Sequence, residues 1–342
     1  CSKEWVYQQY DSMVRTNTAV LPGADAAVIR IKETRRALAI SLDGNGKYVA
    51  INPFEGAKLV VAEAARNVVC VGAEPIAVTN CLNFASPERP EVMWSFSRTI
   101  DGMREACEAF STPIVSGNVS FYNETEGSGI LPTPVIGMVG LIESSQKILT
   151  PHFKDEGDLI ALLGTPGSDL SASEYLQVVK GITSREMIAS GNLPAIDLEF
   201  EKRLHSVLLE LAGKGLIKSA HDCSDGGLAV ALAECCFSTL GHKAIGASIK
   251  LNFGSDTDGK TFSREGLLFG ESPSRIIISF SPRKSDEIFS IVKDFPITLL
   301  GEAGGSHFSF YINENSAIDA EVSELETAWR GALTSKMEMT AA

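Results

Sequence analysis

Short apolar runs and alternating runs exchange along this chain with longer stretches of helical period. Residues 26–32 (AAVIRIK) and 37–42 (ALAISL) predict paired strands, and Asp43-Gly44-Asn45-Gly46 behind them predicts a turn. From Glu55 to about Cys70 the apolar positions recur with helical period and few breakers. Ile76 to Val78 predicts a short strand ending in Thr79-Asn80-Cys81-Leu82-Asn83. Glu91 to Phe110 predicts a long amphipathic helix, and Thr112 to Val115 and Val135 to Ile142 predict further strands, the first of them buried. Helices and strands are mixed, so this first part reads as α+β.

Around Thr150-Pro151-His152-Phe153 the pattern breaks, which predicts two domains, residues 1–150 and 151–342. In the second, Leu159 to Leu163 predicts a buried strand. Ser171-x-x-Glu174 has the spacing of a capping box opening a helix. Leu198 to Leu211 predicts an amphipathic helix stopped near Gly213 and Gly215. The segment 221–227 (HDCSDGG) leads into a helix LAVALAECC. Strands follow at 275–280, 297–300 and 307–312, with helices at 285–294 and near 321–336.

Composition narrows the function classes. The 342 residues suffice for two sizeable cores, and a mean hydropathy of +0.08 is that of an ordinary globular chain. No apolar run is long enough to span a bilayer. A net charge of −13 argues against a nucleic-acid or anionic-membrane surface. It leaves room for a nucleotide, because glycine loops and Mg²⁺ hold phosphate inside acidic proteins. The seven cysteines follow no disulfide or zinc spacing and read as small buried hydrophobes of a reducing, cytoplasmic compartment. Residue 1 is Cys1 rather than Met, so the chain reads as a piece of something longer; a processed chain would read the same.

The chemistry concentrates in Ser116-Gly117-Asn118-Val119-Ser120-Phe121-Tyr122-Asn123-Glu124. One reading is a polar loop leaving a sheet. The other is a ligand loop, whose glycine admits close approach and whose carboxamides and hydroxyls meet phosphate or the water shell of Mg²⁺. Asp43-Gly44-Asn45-Gly46 is a hairpin turn on one reading and a metal or phosphate contact on the other. Asn80, Asn83 and Glu63 raise the same choice, while Arg66 and Asn67 read as structural polar groups facing a loop. Ser224-Asp225-Gly226-Gly227 reads as a cap for the following helix or as an anion site at its start. His221 beside Asp222 is a weak acid–base candidate, since sequence neighbours point apart. The dinucleotide fingerprint, the P-loop, and the kinase and serine-hydrolase signatures are missing.

Taken in order, QYDSMVRTNTAVLPGADAAVIRI, EAARNVVCVGAEPIAVTNCLNF, TPIVSGNVSFYNE, GSDLSASEYL, AHDCSDGGLAVALAEC, GESPSRIIISF and ELETAWRGAL resemble the phosphoribosylformylglycinamidine synthase PurL family, in its C-terminal half. The resemblance implies a PurM-like half: an α+β domain contributing to a shared β-barrel, then an α/β domain. It implies ATP-dependent conversion of FGAR to FGAM with ammonia from a glutaminase, in a cleft shared with an N-terminal half of PurL, and PurQ and PurS as partners. On this resemblance Asn80 and Gly117 contact ATP, Asn118 helps bind Mg²⁺ and Ser120 contacts FGAR. The family's catalytic histidines lie in the other half, so no catalytic residue is assigned here.

Two departures stand out. The family's G-G-N-V-S is S-G-N-V-S at 116–120, and its D-L-G-G-S-E is D-L-S-A-S-E at 169–174. The alternatives are a silent scaffold half with a structural nucleotide at Asp43 and Asn118, or a stand-alone AIR synthetase-like dimer.

Overall fold

The computed structural model describes residues 1–252 and 262–341. After a one-turn helix α1 (Glu4–Tyr7), strands β1 (Thr18–Val20), β2 (Ala27–Arg30) and β3 (Ala37–Asp43) run antiparallel. Helices α2 (Gly46–Ile51) and α3 (Pro53–Cys70) lead to β4 (Glu74–Asn83). Helix α4 (Pro90–Phe110) then crosses to β5 (Ile114–Ser120), which pairs parallel to β4. A short ladder, β6 (Glu124–Thr125) and β7 (Ser128–Gly129), precedes β8 (Thr133–Ile142). The first sheet has the order β1-β2-β3-β8-β4-β5, so β5 is an edge.

Period-two alternation decides which face of this sheet is covered. Ala37, Ala39 and Ser41 of β3, Val78 and Leu82 of β4, and Ile136 and Met138 of β8 are buried. The apolar members of this set form one core with α3 and α4. Ser41 joins that face by donating to the Ala64 carbonyl at 2.8 Å. The alternate positions face outward, and Leu42 is 74% exposed with Ile29, Ile40 and Ile76 beside it. Among the described residues that face is uncovered.

The second layer begins at β9 (Leu159–Leu163), followed by α5 (Glu174–Val178), α6 (Ser184–Ser190) and α7 (Leu198–Lys214). Next come β10 (Ser219–Asp222), α8 (Gly227–Cys236), β11 (Ala247–Leu251), α9 (Arg264–Phe269), β12 (Ile276–Phe280) and α10 (Ser285–Ile291). The chain closes with β13 (Ile297–Ala303), β14 (His307–Ile312), β15 (Asn315–Glu321) and α11 (Val322–Ala341). The strand order is β10-β12-β9-β13-β11-β14-β15. Both faces of this sheet are buried: one core lies under α8, α9 and α11, the other under α7 and α10. Solid apolar runs such as Ile276–Phe280 have that cause.

Several local expectations are corrected. The strand expected at 76–78 spans Glu74–Asn83, and the one expected to be buried before Ser116 is the exposed edge Ile114–Ser120, with Val115 67% exposed. An edge strand tolerates polar residues on both faces, which hides its period. Asp43–Gly46 makes no hairpin turn. Strand β3 runs through Asp43, and the Asn45 side chain caps α2 by accepting from the N–H groups of Lys47 and Tyr48. Ser173, not Ser171, caps α5, and the capping box forms instead at Thr183 and Glu186. Neither Ser224 nor Asp225 caps α8, because Gly226 occupies that position at φ +82°. Helix α10 stops at Ile291, short of 294.

Candidate active site

Strands β4 and β5 set the geometry through their register. Asn80 lies opposite Gly117, Cys81 opposite Asn118, and Asn83 opposite Ser120. Paired residues share a face, so Ser116, Asn118 and Ser120 point with Thr79, Cys81 and Asn83 to the uncovered side. The Ser116 hydroxyl donates to the Thr79 hydroxyl at 2.8 Å, consistent with that assignment. Asn118 and Ser120, two residues apart, stand about 7 Å from one another along the strand. Among the described residues the Asn118 carboxamide has no hydrogen-bond partner, so it is open to a ligand.

Gly117 turns its hydrogen the other way, onto Asn80. A Cβ there would sit 2.0 Å from the Asn80 Oδ1 and 2.6 Å from its carbonyl oxygen. The four residues expected at the site are neighbours on two paired strands but split between the faces: Asn80 and Gly117 lie on the side of Ile136, Asn118 and Ser120 on the uncovered side. Asn83 is not free: its amide donates to the Cys81 and Thr133 carbonyls, both at 3.2 Å. Its role is to close the end of β4.

Asn123 was not singled out by itself in the sequence. Its Nδ2 donates to the Phe84 carbonyl at 3.0 Å, to the Ser120 carbonyl at 2.9 Å and to the Ser120 hydroxyl at 3.1 Å. Tyr122, at φ +60°, turns the chain back so that Asn123 can do this. Glu124 then accepts from the Ser86 N–H at 2.9 Å and pairs with Arg89.

A second polar cluster lies between the two layers. Arg66 is buried, contrary to its reading as a loop-facing group, and donates to Glu201 at 2.8 Å and Asp222 at 2.5 Å. Burial pushes Glu201 up, yet Arg66, His205 and Ser274 outweigh it and hold its carboxyl at about 2. Burial also pushes Asp43 to about 7 and Glu271 to about 7, with Asp225 close to each. The space left among Tyr48, Glu63, Arg66, Asp225 and Glu271 is only about 10 Å³, enough for one water and no nucleotide.

His221 and Asp222 point apart. His221 pairs with Asp25 at 2.9 Å and Glu234 at 3.0 Å, so both ring nitrogens are engaged. Burial pulls His221 down, but the two carboxylates outweigh it and hold it well above its usual range. Nothing in the sequence spacing announces this cluster, because its members come from elements as distant as α3, α7, β10, α8 and the loop before β2.

Asp43 and Asn118 are not brought together. The register places Asp43, Ile136, Asn80 and Gly117 in one row across the sheet. Three strand spacings, about 14 Å, separate the row's ends, and Asn118 faces the opposite side from Asp43.

Comparison with known proteins agrees with this architecture. The AIR synthase related protein N-terminal domain matches residues 23–142, and the C-terminal domain of the same family matches residues 155–313. The chain belongs to the AIR synthase related family. It is 47% identical over 340 residues to the phosphoribosylformylglycinamidine synthase subunit PurL of Thermoanaerobacter pseudethanolicus, covering 98% of this chain and 44% of that one. The PurL of an Anaeromyxobacter species is 47% identical over 342 residues, 42% of its length. The chain thus spans less than half the length of these relatives. Among solved structures, T. maritima PurL complexed with FGAR superposes with a TM-score of 0.73 at 19% identity, over 88% of this chain and 47% of that one. T. maritima PurL complexed with ATP gives 0.70 at 20%, over 88% and 46%. At those identities the likeness shows the shared fold.

Proposed function

We propose that this chain is the C-terminal half of a phosphoribosylformylglycinamidine synthase of the PurL type. It supplies one wall of a site that converts FGAR to FGAM with ATP and glutamine-derived ammonia. The observation carrying this reading is that Asn118 and Ser120 stand on an edge strand, beside an apolar sheet face left bare by the described residues. A sheet face of that kind is a docking surface for another sheet, and an N-terminal PurL half fits it as the second wall of a β-barrel. The relatives, more than twice as long, carry enough additional chain for such a half. The glutaminase PurQ is the ammonia-supplying partner, and the small subunit PurS is a further partner.

In this arrangement Asn80 and Gly117 form one contact surface for ATP on the other face of the edge strand from Asn118, the ligand meeting the open outer backbone of Gly117 rather than the side filled by Asn80. Ser120 binds the formylglycinamide part of FGAR. The Asn118 carboxamide fits Mg²⁺ as a single neutral oxygen ligand, exposed and unpartnered, with the remaining ligands coming from phosphate, water and the other half. Bound there, Mg²⁺ would neutralise phosphate charge; this chain's contribution is positioning. We assign it no catalytic acid or base.

The test is an assay of FGAM formation from ATP, FGAR and ammonia. The chain alone is expected to give none. Adding the part of the T. pseudethanolicus relative outside the aligned 44% restores turnover on this reading. Sustained turnover by the chain alone contradicts it.

A further inference from the structure

Resting on the reading of Ser120 as a substrate contact, we propose that Asn123 is a positioning residue that makes the Ser120 hydroxyl a hydrogen-bond donor toward the substrate. The Asn123 amide nitrogen has two protons and three oxygens around it: Phe84 O, Ser120 O and Ser120 Oγ. It is therefore shared between the two oxygens of Ser120. With Oγ accepting from Nδ2 at 3.1 Å, the hydroxyl proton is free to leave in another direction. The competing acceptor, Asn123 Oδ1, is farther away at 3.3 Å. An incoming carbonyl oxygen at the usual O–H···O distance of about 2.7–2.8 Å outcompetes it. The formylglycinamide oxygen of FGAR is such an acceptor. Asn123 thus favours an acceptor at this position and disfavours a donor.

The turn does not depend on this side chain alone. The Asn123 N–H donates to the Phe84 carbonyl at 3.2 Å, the Phe84 N–H to the Ser120 carbonyl at 2.9 Å, and the Ile130 N–H to the Asn123 carbonyl at 3.0 Å. Asn123→Asp is nearly isosteric and replaces the donor by an anionic acceptor, at the cost of the bonds to the Phe84 and Ser120 carbonyls, which Asn123→Ala loses as well. That acceptor draws the Ser120 proton inward as a charge-assisted bond and takes it from the ligand.

The experiment compares Asn123→Asp, Asn123→Ala, Ser120→Ala and the double variant Ser120→Ala/Asn123→Asp in the reconstituted two-part synthase. Asn123→Asp is expected to raise KM for FGAR about tenfold, with Asn123→Ala and Ser120→Ala giving about three- to tenfold, as for one lost hydrogen bond. KM for ATP should stay unchanged, and the double variant should be no worse than Asn123→Asp. If Ser120→Ala raises KM for FGAR but Asn123→Asp leaves it within twofold, or if the two effects multiply, Asn123 does not act through Ser120. If Ser120→Ala changes nothing, the reading of Ser120 itself fails and this inference with it. Loss of cooperative melting in both Asn123 variants, or equal rises in both KM values, makes Asn123 a structural residue and overturns the assignment.

Discussion

Gly117 and Arg66 show what single residues decide here. At Gly117 the Asn80 side chain and backbone already occupy the space of a Cβ. Gly117→Ala must therefore displace Asn80 or bend the edge strand, an overpacking cost of about 1–3 kcal/mol. We expect a lower melting temperature for the chain, together with at least a tenfold loss of kcat/KM in the reconstituted enzyme. Arg66 is different, because it is sealed between Glu201 and Asp222. Arg66→Ala leaves two carboxylates without their cation and should cost about 3–5 kcal/mol, read by denaturant unfolding.

The carboxylates also set the pH response. Glu201 is held at about 2 against an ordinary 4.5, so its stabilisation is complete above pH 4.5 and disappears as pH falls toward 2. Glu271 has the opposite sign. Raised to about 7, it costs stability progressively as pH climbs from about 4.5 to 7. A glutamine keeps the acceptor oxygen that holds the N–H groups of Glu174 and Gly226. Glu271→Gln should therefore exceed the parent in stability by about 1–3 kcal/mol at pH 8 and match it near pH 4. Equal stability differences at both pH values would contradict this account of Glu271.

At the scale of elements, periodicity exposed what is buried on one side and concealed what is not. Helices α3 and α4 and strand β9 were legible because their apolar spacing answers to one core or two. Strand β5 was half-hidden: its polar stretch reads as a loop because an edge with one neighbour needs no alternation. Strands β10 and β11 passed unread, since short buried strands share their composition with loops and helix ends, and β15 did so as a polar edge without buried positions. The candidate site was legible in part. Gly117, Asn118 and Ser120 were recognisable by resemblance, but their shared edge is a consequence of pairing register, and the Asn123 contacts follow from the turn at Tyr122. Capping supplies a direct check at this scale. Asn52 begins α3 by accepting from the N–H groups of Phe54 and Glu55, both at 3.1 Å. Asn52→Ala should cost about 1 kcal/mol by thermal unfolding, within the usual range for a lost cap.

The whole molecule joins two sheet-and-helix layers through a buried ionic seam, with Asp25 and Arg66 of the first layer reaching His221, Asp222 and Glu201 of the second. Among the described residues no helix is long and apolar enough to cross a membrane. The exposed apolar face of the first sheet then calls for a different cover. Leu42→Asp, on a residue 74% exposed, should leave the folding of the chain nearly unchanged while abolishing association with a complementary half.

Amide hydrogen exchange across β3 and β5 tests the central claim most directly, read with and without the remaining portion of the T. pseudethanolicus relative. The account predicts that amides of the edge residues 114–120 become strongly protected on mixing, that those of residues 38–42, already paired in the ladder, exchange more slowly still, and that Leu42→Asp prevents both. Unchanged exchange at both strands in a mixture that makes FGAM would contradict it.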